Sequence, residues 1–134
     1  MLSSLGLQFV ADKASALREM RRVLAPDGRL AIATAGPTPP VFSILEQALA
    51  RHVKPEVAAF MRAVFSLHEP QEIEKLTSGA GFRDVEVRSK VLTLTLPGPA
   101  DFLWQYVHST PLSAAVAQID DAGRTALERD VVAG

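Results

Sequence analysis

Residues 29–35, RLAIATA, form a short run that is apolar on both faces and bounded by turn formers, Asp27-Gly28 before it and Gly36-Pro37 after it. That pattern belongs to a strand covered on both sides, inside a sheet rather than along a half-exposed margin. Such a strand calls for helices above and below it, so this one feature points to an α/β fold. It also sets a requirement. Leu30 to Thr34 needs neighbours on its edges, and the rest of the chain offers few segments with strand character.

Helical signals surround the run. Asp12 is a good cap, and Ala14, Leu17, Met20 and Leu24 fall on one stripe behind it, with Lys13, Arg18, Arg21 and Arg22 on the other side. Pro26 stops that helix because its ring cannot continue the hydrogen-bond ladder. Three prolines in 36–40 make GPTPP a loop. Val41, Ile44, Leu45, Ala48, Leu49 and His52 then recur at helical steps, and Pro55 restarts the register for Val57, Phe60, Met61 and Val64. Another helix starts at Glu69-Pro70 with Ile73, Leu76 and Ala80 inward, and Gly81 is placed to end it in the left-handed conformation with Phe82 folded back. Phe82, Val85 and Val87 among charges, and Leu92, Leu94 and Leu96 alternating with Thr93 and Thr95, predict an antiparallel hairpin turning at Arg88-Ser89-Lys90. That turn lacks Asn-Gly or any glycine, the usual hairpin chemistry. The tail is helical: Phe102, Leu103, Tyr106 and Val107; then Leu112, Val116 and Ile119 after a Thr110-Pro111 cap; then a last helix capped by Asp120 or Asp121.

Composition closes off several function classes. With 134 residues the chain is expected to form a single domain over 1–134, and 48% hydrophobic with 22% charged residues argues against disorder. Fourteen basic against fifteen acidic side chains leave a net charge of -1, so neither nucleic acid nor an anionic membrane is the expected partner. There is no cysteine, which removes disulfides, thiolate catalysis and cysteine metal sites. The stretch 102–119 is free of charge but carries Gln105, His108 and Pro111, too polar to span a bilayer. MLSSLGLQFVAD has no basic leader, so the expected address is the cytoplasm.

The run SSLGLQFVADKASALREMRRVLAPDGRLAIATAG resembles the second half of class I S-adenosylmethionine-dependent methyltransferases of the small-molecule type. Their pattern is the end of the fourth strand, a helix reading L-R-E-x-x-R-V-L-x-P-G-G, and the fifth strand. Leu17, Arg18, Glu19, Arg22, Val23, Leu24, Pro26 and Gly28 match it; Asp27 stands where the family usually has glycine, and aspartate also suits a turn. AGFRDVEVR is similar to the family's sixth strand with its preceding helix, and VLTLTL to its antiparallel seventh. The resemblance implies a truncated Rossmann-like methyltransferase half: about three strands, a buried one plus the hairpin, packed with five to six helices. In that frame 1–35 is strand end, helix and strand, 37–68 a helical cap insert, 69–97 helix and hairpin, and 98–134 a helical tail. The family's G-x-G-x-G cofactor loop and the acid that grips the ribose have no counterpart; Gly79-x-Gly81 sits at a helix end before a strand, the wrong order for that turn.

By position, the resemblance implicates Ser3, Ser4, Leu5 and Gln8, just after the fourth strand, in cofactor binding, and His52, His68, Trp104 and Tyr106 in contacts to a small-molecule methyl acceptor. The bland readings stand beside these: a terminal strand for the first four, core or surface roles for the others. Arg18, Arg21 and Arg22 read as a solvated helix face, with Arg22 placed to pair with Glu19. The three histidines lack metal-ligand spacing, so no metal site is expected. No catalytic acid or base stands out, as methyl transfer by positioning and desolvation permits. Two functions are expected. One is the carboxy-terminal portion of a S-adenosylmethionine-dependent methyltransferase, inactive alone and binding no cofactor by itself. The other is a non-catalytic oligomerising module or one piece of a split enzyme, a homodimer or higher oligomer formed through the exposed strand edge.

Overall fold

A computed structural model describes all 134 residues. The chain divides into two units, residues Met1–Pro37 with Ala63–Val91, and residues Thr38–Arg62 with Leu92–Gly134.

In the first unit β1 (Leu2–Ser4) leads through a 3-10 turn (Leu7–Phe9) to α1 (Lys13–Val23), and β2 (Ala31–Ala33) follows. Asp12 caps α1 as expected: its carboxylate accepts from the Ser15 N–H at 2.8 Å and from the Ser15 hydroxyl at 2.7 Å. The helix ends at an extended Leu24, two residues before Pro26, and Gly28 N–H closes the turn on the Ala25 carbonyl at 2.8 Å. β1 and β2 pair in parallel, Leu2 opposite Ala31 and Ser4 opposite Ala33. α4 (Pro70–Gly79) packs on α1, and its end follows the sequence closely. Gly81 has φ +91, its N–H donates to the Ser78 carbonyl, and Phe82 N–H reaches back to Thr77 at 3.4 Å. Leu7, Leu17, Leu67 and Ala80 form the core of this unit, with Ile32, Ile73, Leu76 and Phe82 against them.

The second unit is helical: α2 (Pro40–His52), α3 (Pro55–Val64, whose last two residues belong to the first unit), α5 (Pro99–His108), α6 (Leu112–Val116) and α7 (Asp121–Ala133). Prolines open α2, α3, α4 and α5, where a missing N–H costs nothing because the first turn has no acceptor for it. α2 and α5 both pack on α7, burying Leu45, Leu49, Leu103, Val107 and Leu127 completely. Asp120 caps α7 by accepting from Gly123 N–H at 2.8 Å. No helix is long and apolar enough to cross a membrane.

The α/β class holds, with corrections. There are two strands, not about three, and seven α-helices rather than five to six. The hairpin is absent: residues 85–98 carry neither helix nor strand, and everything from Arg88 to Pro99 is exposed. A two-stranded ribbon without a turn former has too little to hold it, and the charges at its expected turn satisfy one another locally, Arg88 taking Glu86 at 2.6 and 2.9 Å. Leu30 to Thr34 is not buried on both faces either. Ile32 turns toward the Leu17 core while Ala31 and Ala33 are exposed, since only one side of the sheet is covered. Thr110 does not cap α6 through its side chain; its hydroxyl donates back to the Tyr106 carbonyl at 2.9 Å.

Candidate functional site

Parallel pairing brings the carboxyl ends of β1 and β2 to the same side, and in parallel sheets that is the side where ligands are received. Ser3, Ser4, Leu5 and Gln8 lie at or just past that end of β1. Leu5 N–H donates to the Ala33 carbonyl at 2.9 Å, which carries the pairing one residue past the strand. Leu5 then adopts φ +52, left-handed backbone that a leucine takes at a cost of about 1–2 kcal/mol. The strained turn swings the chain into the 3-10 turn and delivers Gln8 inward. Gln8 is 4% exposed, and neither its amide oxygen nor its amide nitrogen has a hydrogen-bond partner. A buried amide left so costs about 1–3 kcal/mol. Ser3 is half-buried, and Ser4 and Leu5 are exposed. The four residues named from the sequence thus lie together around one turn, in which Leu5 has left-handed backbone and Gln8 a buried amide without partners.

Of the other four candidates, His52, Trp104 and Tyr106 lie in the second unit and His68 in the first. In the second unit, His52 Nε2 lies 2.8 Å from Asp130 Oδ2, and Arg51 donates to the same oxygen at 2.7 Å. These hydrogen bonds, His52 first and Arg51 second, hold the Asp130 carboxyl down at about 2. Trp104 donates its indole N–H to Glu128 at 2.6 Å and stacks on His108. Tyr106 packs edge-on against Phe42 at 5.3 Å and beside Phe102, and burial pushes its phenol above the ordinary range. His68, in the first unit, turns Nδ1 to the Phe65 carbonyl at 2.7 Å and Nε2 to Glu69 at 3.1 Å, a local helix-start arrangement. A groove of about 160 Å³ runs between α2, α5 and α7, walled by Ile44, Phe102 and Val131, and none of the named polar candidates lines it. Sequence reasoning missed Asp130 and Glu128. Their only signal is that they flank Leu127 and Val131, the buried positions of α7.

The arginine cluster is a helix face. Arg18 donates to Ser15, Arg22 pairs with Glu19 at 2.8 Å as expected, and Arg21 lies over the Phe82 ring at 5.9 Å. No group of three acidic, histidine or cysteine side chains is arranged to hold a metal ion.

Residues 1–32 match the family model described as "Methyltransferase domain". The chain is 33% identical over 96 residues to the demethylmenaquinone methyltransferase of Staphylococcus carnosus, covering 63% of this chain and 40% of that protein. It is 30% identical over 96 residues to the enzyme of the same name from Staphylococcus saprophyticus, covering 63% of this chain and 41% of that protein. The aligned part thus spans about two fifths of the length of the curated relatives it matches. No solved structure matches the chain.

Proposed function

The chain is a relative of the class I S-adenosylmethionine-dependent methyltransferases, and from that premise we propose that its first unit supplies one wall of a methyl-transfer site at the carboxyl end of β1. The observation that carries this reading is Gln8, a primary amide sealed from water with both polar atoms unpartnered, three residues past a leucine held in left-handed conformation. A position kept polar at that cost is explained by a partner from outside the chain. On this reading Ser3 and Ser4 offer hydrogen bonds to one side of the cofactor, Leu5 offers apolar contact, and the Gln8 amide takes part once the turn over it opens. When bound, S-adenosylmethionine supplies the activated methyl group. The residues of this chain act by orienting and by excluding water, and no side chain is assigned as acid or base.

On this reading the chain is the carboxyl-side half of a Rossmann-like fold, and its 134 residues alone neither hold the cofactor nor turn over. Neither strand is followed by a glycine-rich turn: β1 runs into Leu5-Gly6-Leu7 and β2 into Thr34-Ala35-Gly36-Pro37. His52, His68, Trp104 and Tyr106 remain proposed contacts to a small-molecule acceptor. Tyr106 keeps that role best, since the imidazole of His52 and the indole N–H of Trp104 already have partners in Asp130 and Glu128. Demethylmenaquinone, from the relatives' name, is the first acceptor to try.

The test is calorimetric titration with S-adenosylhomocysteine. The 134-residue chain is expected not to bind at millimolar ligand. A chimaera in which it replaces the matching part of the Staphylococcus carnosus enzyme is expected to bind, and Gln8→Leu in that chimaera to weaken binding about tenfold, one hydrogen bond's worth. Saturable binding by the short chain, or an unchanged constant in the Gln8→Leu chimaera, would overturn the assignment.

A further inference from the structure

The second unit carries two adjoining cavities of opposite character. We propose that together they hold one neutral amphiphile, its hydrocarbon part in the groove between α2, α5 and α7 and its oxygen head beyond Ile44, against Arg51 and Asp130. The inference rests on the packing of this unit and not on the methyl-transfer reading.

The groove sets the tail. It encloses about 160 Å³, and every residue lining it is valine, isoleucine, leucine, phenylalanine, proline or glycine, so no side chain there donates or accepts a hydrogen bond. A phosphate, a sugar or an ammonium group entering it gives up its water and gains no partner. A cavity of about 150 Å³ with walls of this kind takes benzene, so the groove has room for about six carbons. That is too small for a helix or strand of a partner protein and suits a small molecule. Leu96 is 41% and Val132 53% exposed at the rim, apolar surface that a hydrocarbon covers.

The second cavity sets the head. It encloses about 130 Å³ between α2 and α7 and shares Ile44 with the groove, but Gln47, Arg51 and Asp130 line it as well. Arg51 gives one guanidinium nitrogen to Asp130 Oδ2 at 2.7 Å and, being exposed, keeps its other donors. Asp130 Oδ2 is taken by both His52 and Arg51, whereas Oδ1 has Arg129 at 3.5 Å and room for a further donor. Donors and an acceptor thus stand in one small space, and the opposite charges of Arg51 and Asp130 offset each other. A hydroxyl or carbonyl head makes use of both. A carboxylate head meets Asp130 and an ammonium head meets Arg51, each a like charge at short range.

The experiment is titration of the full chain at pH 7 with three six-carbon probes, 1-hexanol, hexanoate and hexylammonium, followed by backbone amide NMR shifts. Saturable shifts are expected with 1-hexanol at Ile44, Phe102 and Val131 along the groove and at Arg51 beyond it, with dissociation constants at least tenfold higher for the two charged probes. Val132→Glu sets a carboxylate on the rim at a position already half exposed, so the fold should hold and the rest of the spectrum should stay in place. That variant should raise the constant for 1-hexanol at least tenfold. Shifts that do not saturate at tens of millimolar 1-hexanol, equal constants for the three probes, or a Val132→Glu chain that binds 1-hexanol as the parent does would overturn the proposal.

Discussion

His52 Nε2 and Asp130 Oδ2 stand 2.8 Å apart, tying the last turn of α2 to the last turns of α7. Arg51 reaches the same carboxylate oxygen from the neighbouring position on α2. One acidic side chain thus gathers two consecutive residues of a helix that is distant in sequence, and it does so at the seam where α2 packs on α7.

That pair makes the second unit acid-sensitive in a defined window. The folded Asp130 titrates at about 2 against an ordinary 3.8, so the folded form favours the carboxylate. A depressed acid contributes stability above its unfolded value, and the contribution is lost as pH falls from 3.8 toward 2. Asp130→Asn should lower the melting temperature at pH 7 by a few degrees and remove this part of the acid-induced loss. Fluorescence of Trp104, the single tryptophan and a member of the same unit, reports the transition. An unchanged acid profile in Asp130→Asn would show that the contact carries no linkage.

Gln8→Leu should stabilise the isolated chain. The variant keeps most of the volume and removes an amide whose oxygen and nitrogen both lack partners, a relief of about 1–3 kcal/mol. Urea unfolding followed by circular dichroism measures it. A loss of stability would mean that the amide is satisfied in solution and would remove the main support for a ligand at this position.

Local chemistry accounts for what the sequence made plain. The caps at Asp12 and Asp120, the opening prolines 55 and 70, and the glycine stop at 81 act within one turn of themselves, so residue order suffices to read them, whereas Pro40, read as the end of a loop, in fact opens α2. The larger failures are non-local. Leu92, Leu94 and Leu96 have strand periodicity, but a strand exists only with a partner, and no residue near them in sequence provides one. Residues 30–34 read as buried on both faces because burial was inferred from side-chain type, whereas cover is supplied on one side only, by the Leu17 core. At the candidate site, Ser3 to Gln8 could be named from position, but the isolation of the Gln8 amide and the left-handed Leu5 are properties of packing. The roles of Asp130 and Glu128 depend on α7 meeting α2 and α5, which nothing in their own neighbourhood encodes.

Trp104→Phe isolates one such non-local bond. The indole N–H reaches Glu128 at 2.6 Å in a partly buried setting. Phenylalanine keeps most of the apolar contact and gives up the donor, for an expected loss of roughly 1–2 kcal/mol, near the low end for bonds to charged groups. Thermal unfolding by circular dichroism serves as the measurement. Glu128→Gln retains an acceptor and leaves the indole packing intact, and should lose less; a Trp104→Phe chain as stable as the parent would show that the bond contributes nothing.

Gly79 and Gly81 lie two residues apart and should respond to alanine with opposite signs. At Gly81 the backbone has φ +91, and an added Cβ would sit 2.9 Å from Arg21 Nε and 3.3 Å from its Cδ. The arginine can swing aside, since it is the far end of a flexible side chain, but the backbone conformation remains unfavourable, and Gly81→Ala should cost about 1–2 kcal/mol. Moving Arg21 also breaks its stacking over Phe82, which closes the same helix end. Gly79 is the last residue of α4, and an added Cβ there meets nothing within 4 Å. Gly79→Ala restricts the unfolded chain without strain in the folded one and should gain up to about 1 kcal/mol. Chemical denaturation of the two single variants side by side decides the matter. A loss at Gly79 as large as that at Gly81 would mean that the helix end is stabilised by flexibility at both positions rather than by the left-handed residue alone.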